Sequence, residues 1–142
     1  MKGEGCPLCD ADGGLLVFKN DQLRVIQAVE TGFPAFYRVV WHAHVAEFSD
    51  LPPDQRSQCM EVVVSVEKTL REQLQPTKVN LAALGNAVLH LHWHVIARFD
   101  WDSHFPGSVW AAPQRAVDVG KLSQLALECA RVNRILAAKL AA

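Results

Sequence analysis

The stretch Leu89-His90-Leu91-His92-Trp93-His94-Val95 alternates histidine with large apolar residues. Side chains in a β-strand point alternately to its two faces, so the alternation predicts one strand with three histidines on one face. Residues two apart in a strand are about 6 to 7 Å from each other, so neighbouring imidazoles can share a small site. Three of the chain's six histidines lie in this stretch. This concentration predicts a metal site or histidine catalysis, because a neutral imidazole can bind a metal or pass on a proton near neutral pH.

The sequence around the histidines predicts an α+β fold. Hydrophobic periodicity and turn residues indicate four β-rich regions and two amphipathic helices. The β-rich regions span residues 15–26, 33–41, 79–83 and 87–99, and the helices span residues 54–74 and 117–140. We therefore expect an antiparallel sheet with two long α-helices, in a single domain over residues 1–142.

Composition excludes several classes of protein. The 142 residues have a formal net charge of −1 and no long Lys/Arg cluster, so we expect no nucleic-acid polymer as a partner. No segment approaches the roughly 20 continuous apolar residues of a membrane span, and the N-terminus lacks an apolar stretch of the signal-peptide type. We expect a soluble, cytoplasmic protein that acts on a small molecule.

With its flanks, the histidine stretch resembles the motif of the histidine triad (HIT) family. The preceding Asn80-Leu-Ala-Ala-Leu-Gly85-Asn86 is similar to the family's approach loop, with Asn86 where Gln is usual, and Val95-Ile96-Ala97-Arg98 resembles the usual Val-Ile-Pro-Arg. Cys6-Pro7-Leu8-Cys9 resembles the paired cysteines of many bacterial members, and residues 44–51 resemble the segment that leads into the family's long helix. The resemblance covers most of the chain.

The resemblance implies an HIT-like fold and chemistry at a nucleotide α-phosphate. Its substrates would be dinucleoside polyphosphates, nucleoside phosphoramidates or adenylyl sulfate, hydrolysed or used for nucleotidyl transfer. His92 would be the nucleophile and form a covalent nucleotidyl-histidine intermediate, His94 would help to bind the phosphate, and His90 would support the site. The substrate-binding residues that the resemblance implies are Asn80, Gly85, Asn86 and Arg98. It also implies a homodimer and no organic cofactor.

The spacing Cys6-x-x-Cys9 indicates a metal or redox site, with two unreactive thiols as the alternative. Structural zinc normally has four ligands. The resemblance implies that the other two are His90 and one histidine that precedes the long helix. Both His42 and His44 are candidates for that position, and His44 is preferred because the residues after it match the family.

The sequence departs from the family pattern in the predicted nucleoside pocket. Phe36 stands where His is usual, and Glu30 reaches the ribose position only with a shifted register. Residues 100–108 have neither helical nor strand periodicity, which predicts an irregular loop. His104 is expected to be a loop contact. Aromatic side chains in or beside this loop are candidates to stack on a base: Trp101, Phe105 and Trp110.

Two other classes of function remain open at this point. Phe36, Asn86 and Ala97, which differ from the family pattern, favour a nucleotide-binding or scaffolding module without turnover. A thiol oxidoreductase at Cys6 and Cys9 is the third hypothesis, although the motif lacks the strand-then-helix setting that lowers a cysteine pKa.

Overall fold

The computed structural model describes residues 3–142, and residues 1 and 2 of the predicted domain lie outside the described part. Its helices are α1 (Pro7–Asp10), α2 (Pro53–Leu74) and α3 (Val119–Ala141). Its strands are β1 (Leu15–Lys19), β2 (Leu23–Gln27), β3 (Phe36–Trp41), β4 (Lys78–Ala82) and β5 (His92–Arg98). The predicted α+β fold, with an antiparallel sheet and two long helices, is confirmed.

The strands form one antiparallel sheet in the order β1-β2-β3-β5-β4. In the register of β3 and β5, Arg38 is opposite His94 and Val40 is opposite His92. Opposite residues of an antiparallel pair point to the same face of the sheet. Arg38 and Val40 therefore share a face with the two histidines.

The two faces of the sheet are covered by different parts of the chain. On one face, Val25, Val39 and Val95 are fully buried in the main core, which α2 and α3 complete. The opposite face, which we call the histidine face, is covered at two ends by small apolar clusters. One cluster joins the N-terminal segment to the sheet through Cys6, Leu8, Ile26 and Val40. The other contains Ala28, Phe36 and Ile96, with Phe33 and Val109 packed against it. The site described below lies between these clusters.

The long helices begin and end where local chemistry predicts. Pro53 occupies the first turn of α2, where its missing N–H is harmless, and Gln75 ends the helix with a left-handed φ of 48°. The Asp118 side chain caps α3 by accepting a hydrogen bond from the Lys121 N–H. No helix among residues 3–142 combines the length and the apolar character needed to cross a membrane.

The histidine strand is shorter than predicted, and the prediction that His90 belongs to it is wrong. β5 begins at His92, because the Leu91 N–H donates to the Val45 carbonyl and the His90 N–H donates to the Val88 carbonyl. Leu91 keeps one bond to β3, because its carbonyl accepts a hydrogen bond from the Trp41 N–H, but its own N–H is used by Val45 and not by the sheet. Leu89 accordingly has 64% of its surface exposed instead of anchoring an apolar face.

Candidate active site and metal centre

His92 and His94 lie together on the histidine face. They are alternate residues of β5, and their ring centroids are 4.8 Å apart in an edge-to-face arrangement. Their ring nitrogens have different partners, so the two imidazoles are chemically distinct.

The half-buried ring of His92 is oriented by the backbone just before it. Its Nδ1 lies 2.6 Å from the His90 carbonyl oxygen. A carbonyl can only accept a hydrogen bond, so Nδ1 carries the proton and Nε2 keeps its lone pair. Burial lowers the pKa of His92, the bond to the His90 carbonyl opposes that change, and the Arg38 charge lowers the pKa further. His92 is thus a neutral imidazole with a free Nε2, the form that a nucleophile requires.

His94 is buried and its ring is held by charged and aromatic neighbours. Its Nδ1 lies 3.2 Å from the Arg38 Nε, and its ring meets Phe36 and Trp110 edge-on at centroid distances of 5.5 and 5.0 Å. Burial lowers the pKa of His94 to about 3, with further lowering by His92 and Arg38. His94 is therefore neutral at physiological pH.

The ring of His90 belongs to a second cluster and does not face the pair formed by His92 and His94. Its Nδ1 lies 3.3 Å from Cys6 Sγ, 3.4 Å from Cys9 Sγ and 3.3 Å from His44 Nδ1, and Cys9 Sγ is 3.4 Å from His44 Nδ1. The four ligand atoms lie within 4.8 Å of one another. The ring of His90 thus faces the cysteines and His44, as the predicted metal site requires, whereas its predicted part in catalysis stays a prediction.

The four side chains fit a tetrahedral zinc ion. Zinc bonds of about 2.0 to 2.1 Å to nitrogen and 2.3 Å to sulfur place two nitrogens about 3.3 Å apart and nitrogen about 3.5 Å from sulfur. The distances in the cluster match these values. His90 donates Nε2–H to the Trp41 carbonyl, which leaves Nδ1 unprotonated and directed at the cluster.

Nearby backbone supports the same cluster. The Gly3 N–H donates to Cys9 Sγ at 3.2 Å, a contact that stabilises a thiolate. A Cβ at Gly3 would lie 2.5 Å from the His44 ring, so the close approach requires glycine. Of the two histidines left open by the sequence, His44 is in the cluster, whereas His42 Nδ1 lies 3.4 Å from the Asp21 carbonyl.

The structure separates the residues expected to bind substrate. Asn86 is exposed in the loop before β5, and Gly85 lines a cavity of about 240 Å³ together with His92. Arg98, by contrast, is only 2% exposed and bonds to Asp102, Asn80 and the Gly107 carbonyl. Arg98 therefore holds the loop that follows β5 and Asn80 holds Arg98, and neither residue lines the cavity beside His92.

That loop brings one aromatic residue to the site. Trp110 is 52% exposed and meets the His94 ring. Trp101 instead stacks on Phe99, and Phe105 lies under the Arg98 guanidinium. Of the three candidates, Trp110 is therefore the one that lies beside His94.

Two residues that matter here were missed by sequence reasoning. Asp102 forms the buried ion pair that folds the loop, and nothing in its local sequence distinguishes it from a surface acid. Arg38 contacts His94 and forms an ion pair with Glu30 at 2.9 Å. The strand register would have found Arg38, because it is opposite His94, but only once the pairing of β3 with β5 was known. Glu30, the alternative ribose contact, is occupied by this pair.

Comparison with known proteins identifies the family. The HIT domain family model matches residues 13–101, and no curated protein matches the chain. A histidine triad protein from Bradyrhizobium japonicum is 27% identical, with a TM-score of 0.68 over 84% of this chain and 90% of that one. A Zn-bound histidine triad family protein from Mycobacterium smegmatis is 20% identical, with a TM-score of 0.66 over 96% and 95%. A histidine triad protein from Sulfolobus tokodaii is 16% identical, with a TM-score of 0.60 over 89% and 85%. Because the family model matches well over half of its residues, this chain belongs to the HIT domain family.

Proposed function

We propose that this HIT protein is a nucleotide hydrolase or nucleotidyltransferase that acts at the α-phosphate through a covalent nucleotidyl-His92 intermediate. The observation that carries the proposal is the 2.6 Å bond from His92 Nδ1 to the His90 carbonyl, which leaves Nε2 free to attack. Family membership supports nucleotide chemistry, and the Sulfolobus tokodaii relative is described as a hypothetical nucleotide-binding protein. Dinucleoside polyphosphates, nucleoside phosphoramidates and adenylyl sulfate are the proposed substrates.

The proposed reaction has two displacements at phosphorus. In the first, the lone pair on His92 Nε2 forms a bond to the α-phosphorus, and the bond to the bridging oxygen or nitrogen breaks. The leaving group takes that electron pair and a proton from water. In the second, water attacks phosphorus and loses a proton to solvent, the electron pair of the P–N bond returns to Nε2, and the nucleoside monophosphate is released. The His90 carbonyl stabilises the intermediate, because its hydrogen bond from Nδ1 strengthens when the ring becomes cationic.

The phosphoryl oxygens need fixed donors as charge develops on them. His94 is proposed as one donor, since its ring lies beside His92. Gly85 and Asn86 are proposed as further contacts from the loop before β5, because Gly85 and His92 line one cavity.

The covalent intermediate is the sharpest test of the proposal. Native protein mixed with a substrate panel and quenched rapidly should show a nucleotide attached to His92 by peptide mass spectrometry. His92→Ala should turn over none of the substrates, while His42→Ala, whose ring lies outside both clusters, should keep the native rate. Native turnover by His92→Ala would exclude this mechanism.

We also propose that Cys6, Cys9, His44 and His90 hold a structural zinc ion. The matched distances and the Zn-bound relative from Mycobacterium smegmatis support this assignment. A bound zinc would join the N-terminal segment to the residues just before β5 and hold the His90 backbone in place. Two thiolates directed at one ion also argue against redox cycling of this pair.

A second candidate is a nucleotide-binding module without turnover. The specific observation in its favour is Phe36, which is buried beside His94 at a position where the family usually has histidine. A phenylalanine side chain cannot form hydrogen bonds to a ribose. Tight nucleotide binding by calorimetry, with no labelled His92 and no product across the panel, would select this alternative.

A cytoplasmic homodimer is proposed from the family resemblance. Exposed apolar side chains on α3, including Val119 and Leu127 at 72% and 70% exposure, support a contact between copies of the chain. Analytical ultracentrifugation should give a dimer mass, and a monomer at all concentrations would refute the proposal.

A further inference from the structure

Arg38 is the charged residue of the histidine face that contacts His94. It is opposite His94 in the register of β3 and β5, and its Nε lies 3.2 Å from His94 Nδ1. Its Nη2 donates to Glu30 at 2.9 Å, and its guanidinium lies over the Phe36 ring at 5.0 Å from the centroid. The side chain is 20% exposed, so three neighbours hold it in one conformation.

The contact determines which nitrogen of His94 carries the proton. An arginine side chain has five N–H donors and no acceptor, and it stays protonated in proteins. A guanidinium N–H directed at His94 Nδ1 therefore requires a lone pair on Nδ1. In the neutral ring, the proton must then be on Nε2.

The two histidines consequently hold opposite tautomers. His92 carries its proton on Nδ1 and presents an Nε2 lone pair, while His94 presents an Nε2–H. We propose that Arg38, held by Glu30, is a positioning residue that fixes His94 as the Nε2–H tautomer and so makes it a hydrogen-bond donor to the transferred phosphoryl group. The tautomer follows from this structure, and its catalytic consequence rests on the proposed function.

Without Arg38, His94 could place its proton on Nδ1. Its Nε2 would then present a lone pair to an anionic phosphoryl oxygen, which repels the substrate where the reaction needs a donor. The proposal therefore predicts a defect in the chemical step and not only in substrate affinity.

The matched variants are Arg38→Met and Arg38→Lys. Methionine places a methyl group where the arginine has Nε, so it keeps the length and removes both donor and charge. Lysine keeps a donor without an acceptor. Arg131→Met is the control, because Arg131 is exposed on α3, where it contacts the Gln73 carbonyl.

The first readout is the tautomer of His94 in ¹⁵N-labelled protein at neutral pH. Two-bond ¹H–¹⁵N correlation spectra should show a protonated Nε2 in the native protein and in Arg38→Lys, and a substantial Nδ1–H population in Arg38→Met. A native ring protonated on Nδ1, or an unchanged tautomer in Arg38→Met, would overturn the inference. This arm needs no substrate, so it decides the inference even if the proposed function is wrong.

The second readout is turnover of a substrate that the native protein accepts. Loss of one donor to a developing oxyanion typically costs about 10²- to 10³-fold in kcat, and we expect at least a tenfold loss in Arg38→Met because the tautomer is shifted but not removed. Arg38→Lys should recover most of this loss and Arg131→Met should match the native protein. A change confined to KM, or equal kcat in Arg38→Met and native protein of equal thermal stability, would refute the positioning role.

Discussion

Removing one partner of the buried ion pair between Arg98 and Asp102 should strongly destabilise this protein. The two side chains are 2% and 4% exposed and form a bidentate pair, with distances of 2.9 and 3.1 Å. The Asp102 carboxylate also accepts N–H bonds from Phe99, His104 and Phe105. Replacing Asp102 with Asn removes the negative charge and leaves the Arg98 guanidinium buried without a counterion.

The expected cost follows from this burial. Removing one partner of a buried ion pair typically destabilises a protein by about 3 to 5 kcal/mol, because the remaining charge is unpaired. In a domain of this size, 1 kcal/mol shifts the melting temperature by roughly 3 to 4 °C, so Asp102→Asn should lower it by about 10 to 20 °C. Burial alone would raise the pKa of Asp102, but bonds from Arg98 and from the Phe99 and His104 backbones lower it, which indicates net stabilisation of the charged form.

Urea unfolding followed by circular dichroism can test this value. Glu67→Gln is the matched control, because Glu67 and Arg71 form an ion pair at 3.9 Å whose arginine is 69% exposed, and such pairs contribute about 1 kcal/mol or less. Adding Arg98→Met to Asp102→Asn should recover part of the loss, since it removes the unpaired charge. A cost for Asp102→Asn no larger than that for Glu67→Gln would refute this reasoning.

Three further predictions follow from the two clusters. Purified protein should contain about one zinc per chain by elemental analysis. Cys6→Ser should lose this zinc, while Cys129→Ser, which alters a fully buried thiol of the main core, should keep it. A metal-free native protein would contradict the zinc assignment. Folding lowers the pKa of His94 from its ordinary value to about 3, so the unfolded chain binds more protons than the folded chain below about pH 6.5. The free energy of unfolding should therefore fall by about 2 kcal/mol between about pH 7.5 and pH 5, and this pH-dependent part should be absent in His94→Gln. Trp110→Ala should raise KM about fivefold or more with little change in kcat, as expected for a lost stacking partner, whereas Trp101→Ala should leave KM unchanged. If Trp110→Ala and the native protein had equal KM values, the base would bind elsewhere.

The main features of the fold were predictable because they depend on local periodicity. Alternating residues predicted β5, and residues three or four apart predicted both long helices close to their observed bounds. The grouping of Cys6, Cys9, His44 and His90 was predicted from family resemblance, and the structure brings those four side chains together. Local spacing alone could not choose between His42 and His44, since both precede the same helix.

The unpredicted features depend on contacts between distant parts of the chain. Alternation assigned His90 to the strand, but the hydrogen bond from Leu91 to the Val45 carbonyl begins the strand two residues later. Arg98 matched a family position, yet its partner Asp102 follows in a loop with no periodicity, so its burial was not foreseeable. Sequence patterns thus located the candidate residues without determining which side chains are free to meet a ligand.

His92 and His94 show why the identity of a residue is not enough to assign its proposed role. His92 and His94 are the same amino acid on the same face of one strand, and each is neutral because burial lowers its pKa. What differs is the partner of Nδ1, which is a carbonyl acceptor for His92 and a guanidinium donor for His94. The carbonyl partner of His92 belongs to His90, only two residues earlier in the chain. The guanidinium partner of His94 belongs to Arg38, which reaches it only because β3 pairs with β5 in one register. A shift of that register by a single residue would turn Arg38 to the opposite face and leave two histidines with no fixed difference between them. The proposed division between a nucleophile and a donor therefore depends on the pairing of β3 with β5 and not on the three histidines alone.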